Sequence, residues 1–156
     1  DPKTSAQIII SHTSDGVALA REYALPERVQ DIIAQHHGTT LAGFFYRVAT
    51  KEANGAPVDE RDFRYPGPKP STREAAIVML ADVEAVVRSV RPNTPAEMEN
   101  LVRQYIEDKL ISGQLDRCDL TLLDLDKIRE AFNTLLRGIF HPRIQYPEES
   151  KEARAL

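Results

Sequence analysis

Apolar residues recur along this chain at intervals of three and four, the spacing that lines one side of an α-helix. Between Pro26 and Gly38, the positions Val29, Ile32, Ile33 and His36 fall at i, i+3, i+4 and i+7. The period returns in Met98, Leu101, Val102, Tyr105, Ile106 and Leu110, and again in Leu125, Ile128, Phe132, Leu135, Leu136 and Ile139. Leu41, Phe44, Phe45 and Val48 form a shorter apolar side, expected to be core. Six helices are predicted, over residues 4–23, 26–38, 40–53, 71–90, 94–113 and from 121 to a stop at Pro142, with no strand. The fold class is therefore all-α.

The helix ends carry matching signals. Thr4 with Gln7, Ser71 with Glu74 and Thr121 with Asp124 are spaced as capping pairs, and Thr94, Pro95 and Glu97 open the fifth helix. Pro26 stands where a missing N–H costs nothing, and Gly38 supplies a left-handed stop. Ser14-Asp15-Gly16 predicts a local irregularity in the first helix.

Histidines interrupt the apolar stripes. His36 belongs to the stripe of its own helix, His37 follows about 100° further round, and His12 shares a face with Ile8 and Ile9. Asp82 falls among Ala75, Val78, Met79, Ala85 and Val86, which puts a carboxylate in an apolar face. A buried carboxylate needs a cation or hydrogen-bond donors. Alone, an inward histidine is ordinarily a core residue with one hydrogen bond, and Asp82 would pair as readily with an arginine. Together, His12, His36, His37 and Asp82 are a donor set suited to zinc, iron, manganese or nickel. No HExxH or CxxC spacing is present, so the set has to converge through the tertiary fold. His141, beside Pro142, is read as a partner for a helix end and not as a ligand.

Residues 54–70 are rich in proline, glycine and charge and predict a long irregular connection. A surface connector is the plain reading. The functional one is that it delivers Arg64, Tyr65, Lys69 and Arg73, cations and an aromatic suited to a phosphate and a base, just ahead of Asp82. Lys69 and Arg73 are the candidates for phosphate contact and Tyr65 for stacking on a base.

The chain has 156 residues, one domain's worth, and a formal charge of −4 from 20 basic and 24 acidic side chains. That balance argues against a general nucleic-acid or membrane-surface binder and leaves room for a small anionic substrate. Its single cysteine, Cys118, excludes an internal disulfide framework and suits a reducing compartment. No apolar run is long enough to span a bilayer and no signal-peptide pattern opens the chain. Residues 1–146 are read as one domain and 147–156 as a polar, solvated tail.

Longer strings of residues resemble a known family. They are Ser11-His12 followed by Asp15-Gly16-Val17, then His36-His37-Gly38-Thr39, then Asp62-Phe63-Arg64-Tyr65-Pro66-Gly67-Pro68-Lys69-Pro70, then the run from Glu74 to Asp82. Gln114-Leu115-Asp116, Cys118-Asp119-Leu120-Thr121 and His141-Pro142-Arg143-Ile144 extend the match. They are similar to the cytosolic HD domain of PgpH-type proteins, receptor-like bacterial phosphohydrolases anchored in the inner membrane. The resemblance implies an all-helical HD-superfamily fold and hydrolysis of cyclic di-AMP to pApA. The implied centre holds two divalent ions, manganese or iron, with hydroxide at the metals as nucleophile and no separate catalytic side chain. It places His12, His36, His37 and Asp82 at metal-site positions. The family's defining histidine and its adjacent His-Asp pair have no counterpart here and are expected upstream of Asp1, so the fragment alone is expected to bind one ion or none. The implied partner is a cyclic dinucleotide, with no DNA or RNA polymer, and with membrane contact only through segments outside the chain. Two rival functions remain, a non-catalytic cyclic-dinucleotide sensor and a degenerate module offering only an interaction surface.

Overall fold

The structure is a computed structural model that describes residues 1–140. The described residues form seven α-helices and one short 3₁₀ turn: α1 (Pro2–Glu22), α2 (Glu27–Gln35), α3 (Gly43–Glu52), the 3₁₀ turn (Glu60–Phe63), α4 (Arg73–Ala81), α5 (Val83–Val90), α6 (Pro95–Ile111) and α7 (Leu122–Ile139). Among the described residues the only extended pairing is an isolated bridge between Leu41 and Arg64. The all-α expectation holds. His141 and the tail over 147–156 lie outside the described residues.

Local chemistry explains most of the boundaries. Thr121 and Asp124 form the reciprocal capping pair read from the sequence, and the Thr94 hydroxyl accepts from Glu97 N–H. Two caps differ. Asp1, not Thr4, opens α1, because its carboxylate accepts from both the amide and the hydroxyl of Thr4. Thr72, not Ser71, opens α4, by accepting from Ala75 N–H, while Ser71 donates through N–H and hydroxyl to the Gln35 side chain.

The expected fourth helix is two helices. Asp82 sits at the joint, closing α4 and preceding α5. In α1 the expected irregularity is absent, and Gly16 serves packing instead: a Cβ there would stand 2.9 Å from Cγ2 of Ile33 on α2. Ala6, Thr13 and Ala20 are the buried residues of α1, a seam of small side chains that brings the two helices close.

The core lies among α4, α5, α6 and α7, built from Ala76, Met79, Leu80, Val83, Val87, Met98, Val102, Ile106, Leu115, Leu125 and Leu136. The other helices form a second group in which α1 packs on α2, α3 and the 3₁₀ turn, and α2 joins the core through α4. Several stripe residues point outward. Leu110, Leu135, Ile139 and Val78 are exposed, and α3 contributes no buried residue, with Phe44 largely in solvent. Phe44 and Phe45 were expected to be core; they line a shallow cavity beside His37 instead.

Candidate metal centre

Three histidines meet where α1 and the end of α2 approach. His12 comes from the middle of α1, His36 caps the C-terminus of α2, and His37 is the next residue. One nitrogen from each lies within 4.8 Å of the others. None is a core residue: His12 is exposed, and His36 and His37 are half-buried. The inward direction expected for His12 and His36 is corrected accordingly, since Ile8 and Ile9 are exposed as well and Gln35 is the buried residue of α2. The histidines line an open rim.

Their orientation is fixed by their own helices. The Nδ1 of His12 contacts the carbonyl of Ile9, and the Nδ1 of His36 stands 2.7 Å from the carbonyl of Ile33. A carbonyl only accepts, so each neutral ring carries its proton on Nδ1 and leaves a lone pair on Nε2. Those two Nε2 atoms face each other at 3.1 Å. Two lone pairs so close repel unless a proton or a cation lies between them. Imidazoles that share one divalent ion at about 2.1 Å each stand roughly 3.0–3.4 Å apart. The pair therefore fits a metal, and the carbonyl contacts are the outer partners that metal-binding histidines ordinarily have.

The chain just after His37 has little freedom. Gly38 has φ +52°, and a Cβ there would lie 2.5 Å from Oε1 of Gln114 and 2.9 Å from Cε of Met79. Gln114 is buried and accepts from Thr39 N–H at 2.9 Å while its amide donates to the Thr39 hydroxyl at 3.1 Å. The His36-His37 pair is thereby tied to the chain that follows α6.

Behind His37 the site becomes enclosed. The Tyr65 ring stacks on His37 with centroids 4.3 Å apart and planes 24° from parallel. The Asp82 carboxylate lies 3.8 Å from His37 Nδ1, and the Tyr105 hydroxyl donates to that carboxylate at 3.4 Å. Asp82 is 38% exposed, so the expectation of a deeply buried carboxylate is corrected, although it does turn toward the histidines. Burial, reinforced by His36, His12 and Lys109, lowers the His37 pKa to about 3. Burial first and Asp82 second raise Tyr65 to about 12, and burial followed by Asp82 raises Tyr105 as well. Both tyrosines keep their protons at neutral pH.

The other sequence candidates lie apart from this cluster. Lys69 is 3.6 Å from Asp116, and Arg73 faces Asp119 and Asp124 at 3.7 and 3.8 Å. Arg64 pairs with Glu60 and donates to the Thr39 carbonyl. Tyr65 does reach the site, with one ring face against His37. Three residues were missed: Tyr105, Lys109 and Gln114. In the sequence Tyr105 belongs to a core stripe, and its one-turn spacing from Lys109 is the signal available.

Comparisons with known proteins identify the family. The model of the family described as HD domain matches residues 1–86. The chain is 49% identical over 98% of its length to the cyclic-di-AMP phosphodiesterase PgpH of Bacillus subtilis, and 44% identical over 95% to that of Listeria monocytogenes. It covers 21% and 20% of those proteins, so it spans about a fifth of the curated relatives it matches. The crystal structure of the L. monocytogenes PgpH HD domain in complex with cyclic-di-AMP superposes with a TM-score of 0.84 at 42% identity, covering 94% of this chain and 68% of that one. The HD domain implies a divalent-metal site, which the three clustered histidines fit. On its sequence and its helical architecture, the chain belongs to the HD domain family.

Proposed function

We propose that the protein is a metal-dependent phosphodiesterase that hydrolyses cyclic di-AMP to pApA. The observation that carries this is the pair of Nε2 atoms facing each other at 3.1 Å, each ring held by a carbonyl of its own helix. The substrate assignment is supported by the PgpH proteins it resembles and by the cyclic-di-AMP complex of the similar HD domain. Manganese or iron are the ions proposed, two in the whole domain. The whole protein is proposed to be anchored in a bacterial inner membrane with this domain in the cytoplasm. No helix among the described residues is long and apolar enough to cross a membrane.

Divalent ions in such a centre polarise phosphoryl oxygens, acidify water and stabilise a departing alkoxide. The chain's own residues prepare that environment. His12 and His36 would hold a cation through Nε2, and His37 would offer a ring nitrogen unencumbered by a proton. Asp82 adds negative charge beside His37 and is oriented by the Tyr105 hydroxyl. Tyr65 shields one face of His37 from water.

The test is turnover. The full protein, loaded with manganese or with iron, is incubated with cyclic di-AMP and the products are separated by anion-exchange chromatography. Release of pApA supports the reading, and the faster ion identifies the better cofactor. Tight binding of cyclic di-AMP with no pApA under either ion would overturn it in favour of a sensor.

A further inference from the structure

One cation lines the metal centre without a carboxylate at ion-pair distance among the described residues. Lys109 stands one turn after Tyr105 on α6, and its Nζ lies 4.9 Å above the centre of the Tyr105 ring. It lines a cavity of about 220 Å³ together with His37, Tyr65, Asp82 and Tyr105. With Thr40, Leu41 and Tyr105 it also lines an adjoining cavity of about 430 Å³ that includes Ser112 and Arg64. Lys69, Arg73 and Arg64 are each engaged with carboxylates. Lys109 forms no ion pair among the described residues.

An ammonium in this position is costly from two directions. It gives up part of its hydration, a cost that the carboxylates of Asp82 and Asp108 offset only in part. It also repels any cation held by the histidines. An anion between the lysine and the histidines relieves both. The cation–π contact with Tyr105 holds the side chain toward the cavity and gives it no negative charge to neutralise.

We propose that Lys109 is the substrate-binding cation of this site, its ammonium donating to a non-bridging phosphate oxygen of the bound ester. This rests on the phosphodiesterase reading for the identity of the ester, and on the cavity for the contact itself. Lys69 and Arg73, the candidates from the sequence, would then act at a distance or not at all, because their charges are already met by Asp116, Asp119 and Asp124.

The probe is inorganic phosphate, titrated calorimetrically into the manganese-loaded full protein, with bound metal quantified in every sample. Lys109→Met keeps the stem over Tyr105 and removes the charge; Lys109→Arg keeps the charge. The Met variant is expected to bind phosphate about ten- to a hundredfold more weakly, the usual cost of losing a charged hydrogen bond. Its KM for cyclic di-AMP should rise in parallel, its metal content should stay unchanged, and the Arg variant should recover most of the affinity. Equal phosphate affinity in the Met variant, loss of metal from it, or a wild-type protein that binds no phosphate would each overturn the assignment. A wild-type protein that binds phosphate through Lys109 yet does not cleave cyclic di-AMP would sink the substrate reading and uphold this one.

Discussion

The Nε2 atoms of His12 and His36 oppose each other across 3.1 Å, and neither ring can turn away without giving up its Nδ1 contact to Ile9 or Ile33. Two helices thus hold a pair of lone pairs in mutual repulsion, a state that a cation relieves. Replacing His12 or His36 with alanine should lower the affinity for manganese by more than the roughly 10–100-fold that loss of an outer partner costs. Because His12 is exposed, the His12→Ala protein should keep its melting temperature in the presence of a chelator. Metal titration and thermal melting of the same samples check both halves.

His37 makes stability depend on pH in a defined direction. Its pKa is about 3 in the folded chain against 6.5 when exposed. Between those values the unfolded chain binds a proton that the folded one refuses, so stability present at neutral pH is lost as pH falls through that window. In metal-free protein the loss between about pH 7 and pH 4.5 should be roughly 2–3 kcal/mol from this group. Denaturant titration at the two pH values measures it, and a His37→Phe variant should lose that part of the dependence.

Gln114 is predicted to matter although it touches no ligand. Gln114→Leu removes the acceptor of the Thr39 amide and should destabilise the fold by about 1–3 kcal/mol. By loosening the segment after His37 it should also weaken metal binding. A variant with a lower melting temperature and unchanged metal affinity would show that the tie to Thr39 is structural only.

Tyr65 is expected to act first on His37. Tyr65→Phe should be nearly silent, since the stacked ring is kept. Tyr65→Ala should reduce metal affinity through a less constrained imidazole. The stacking role on adenine, proposed from sequence, requires a substrate-affinity loss in Tyr65→Ala at saturating metal, and unchanged affinity there would remove it.

How much of this was legible in the sequence follows from what each residue interacts with. Helical periodicity and the Thr121, Thr94 and Gly38 signals act within a few residues of chain, and the structure agrees with them. The Asp1 cap escaped because Thr4 was itself a plausible cap, and Asp1 reaches the same amide. The split at Asp82 left no trace in the helical period, which continues from Val78 and Met79 through Asp82 to Ala85 and Val86. Convergence of His12, His36 and His37 was expected from residue type and resemblance, while their direction was misjudged: a stripe reports a side of a helix, and only packing decides whether that side meets the core. Lys69 and Arg73 looked like phosphate ligands because sequence shows cations and not their partners. Asp116, Asp119 and Asp124, forty or more residues downstream, are what engage them.

The central claim is that the clustered imidazoles grip a divalent ion. Anomalous scattering at the manganese edge, from crystals of the full protein grown with manganese, tests it most directly. A peak between Nε2 of His12 and Nε2 of His36, with a ring nitrogen of His37 in reach, is the predicted result. Manganese bound elsewhere, with those two nitrogens joined only by a shared proton, would contradict it.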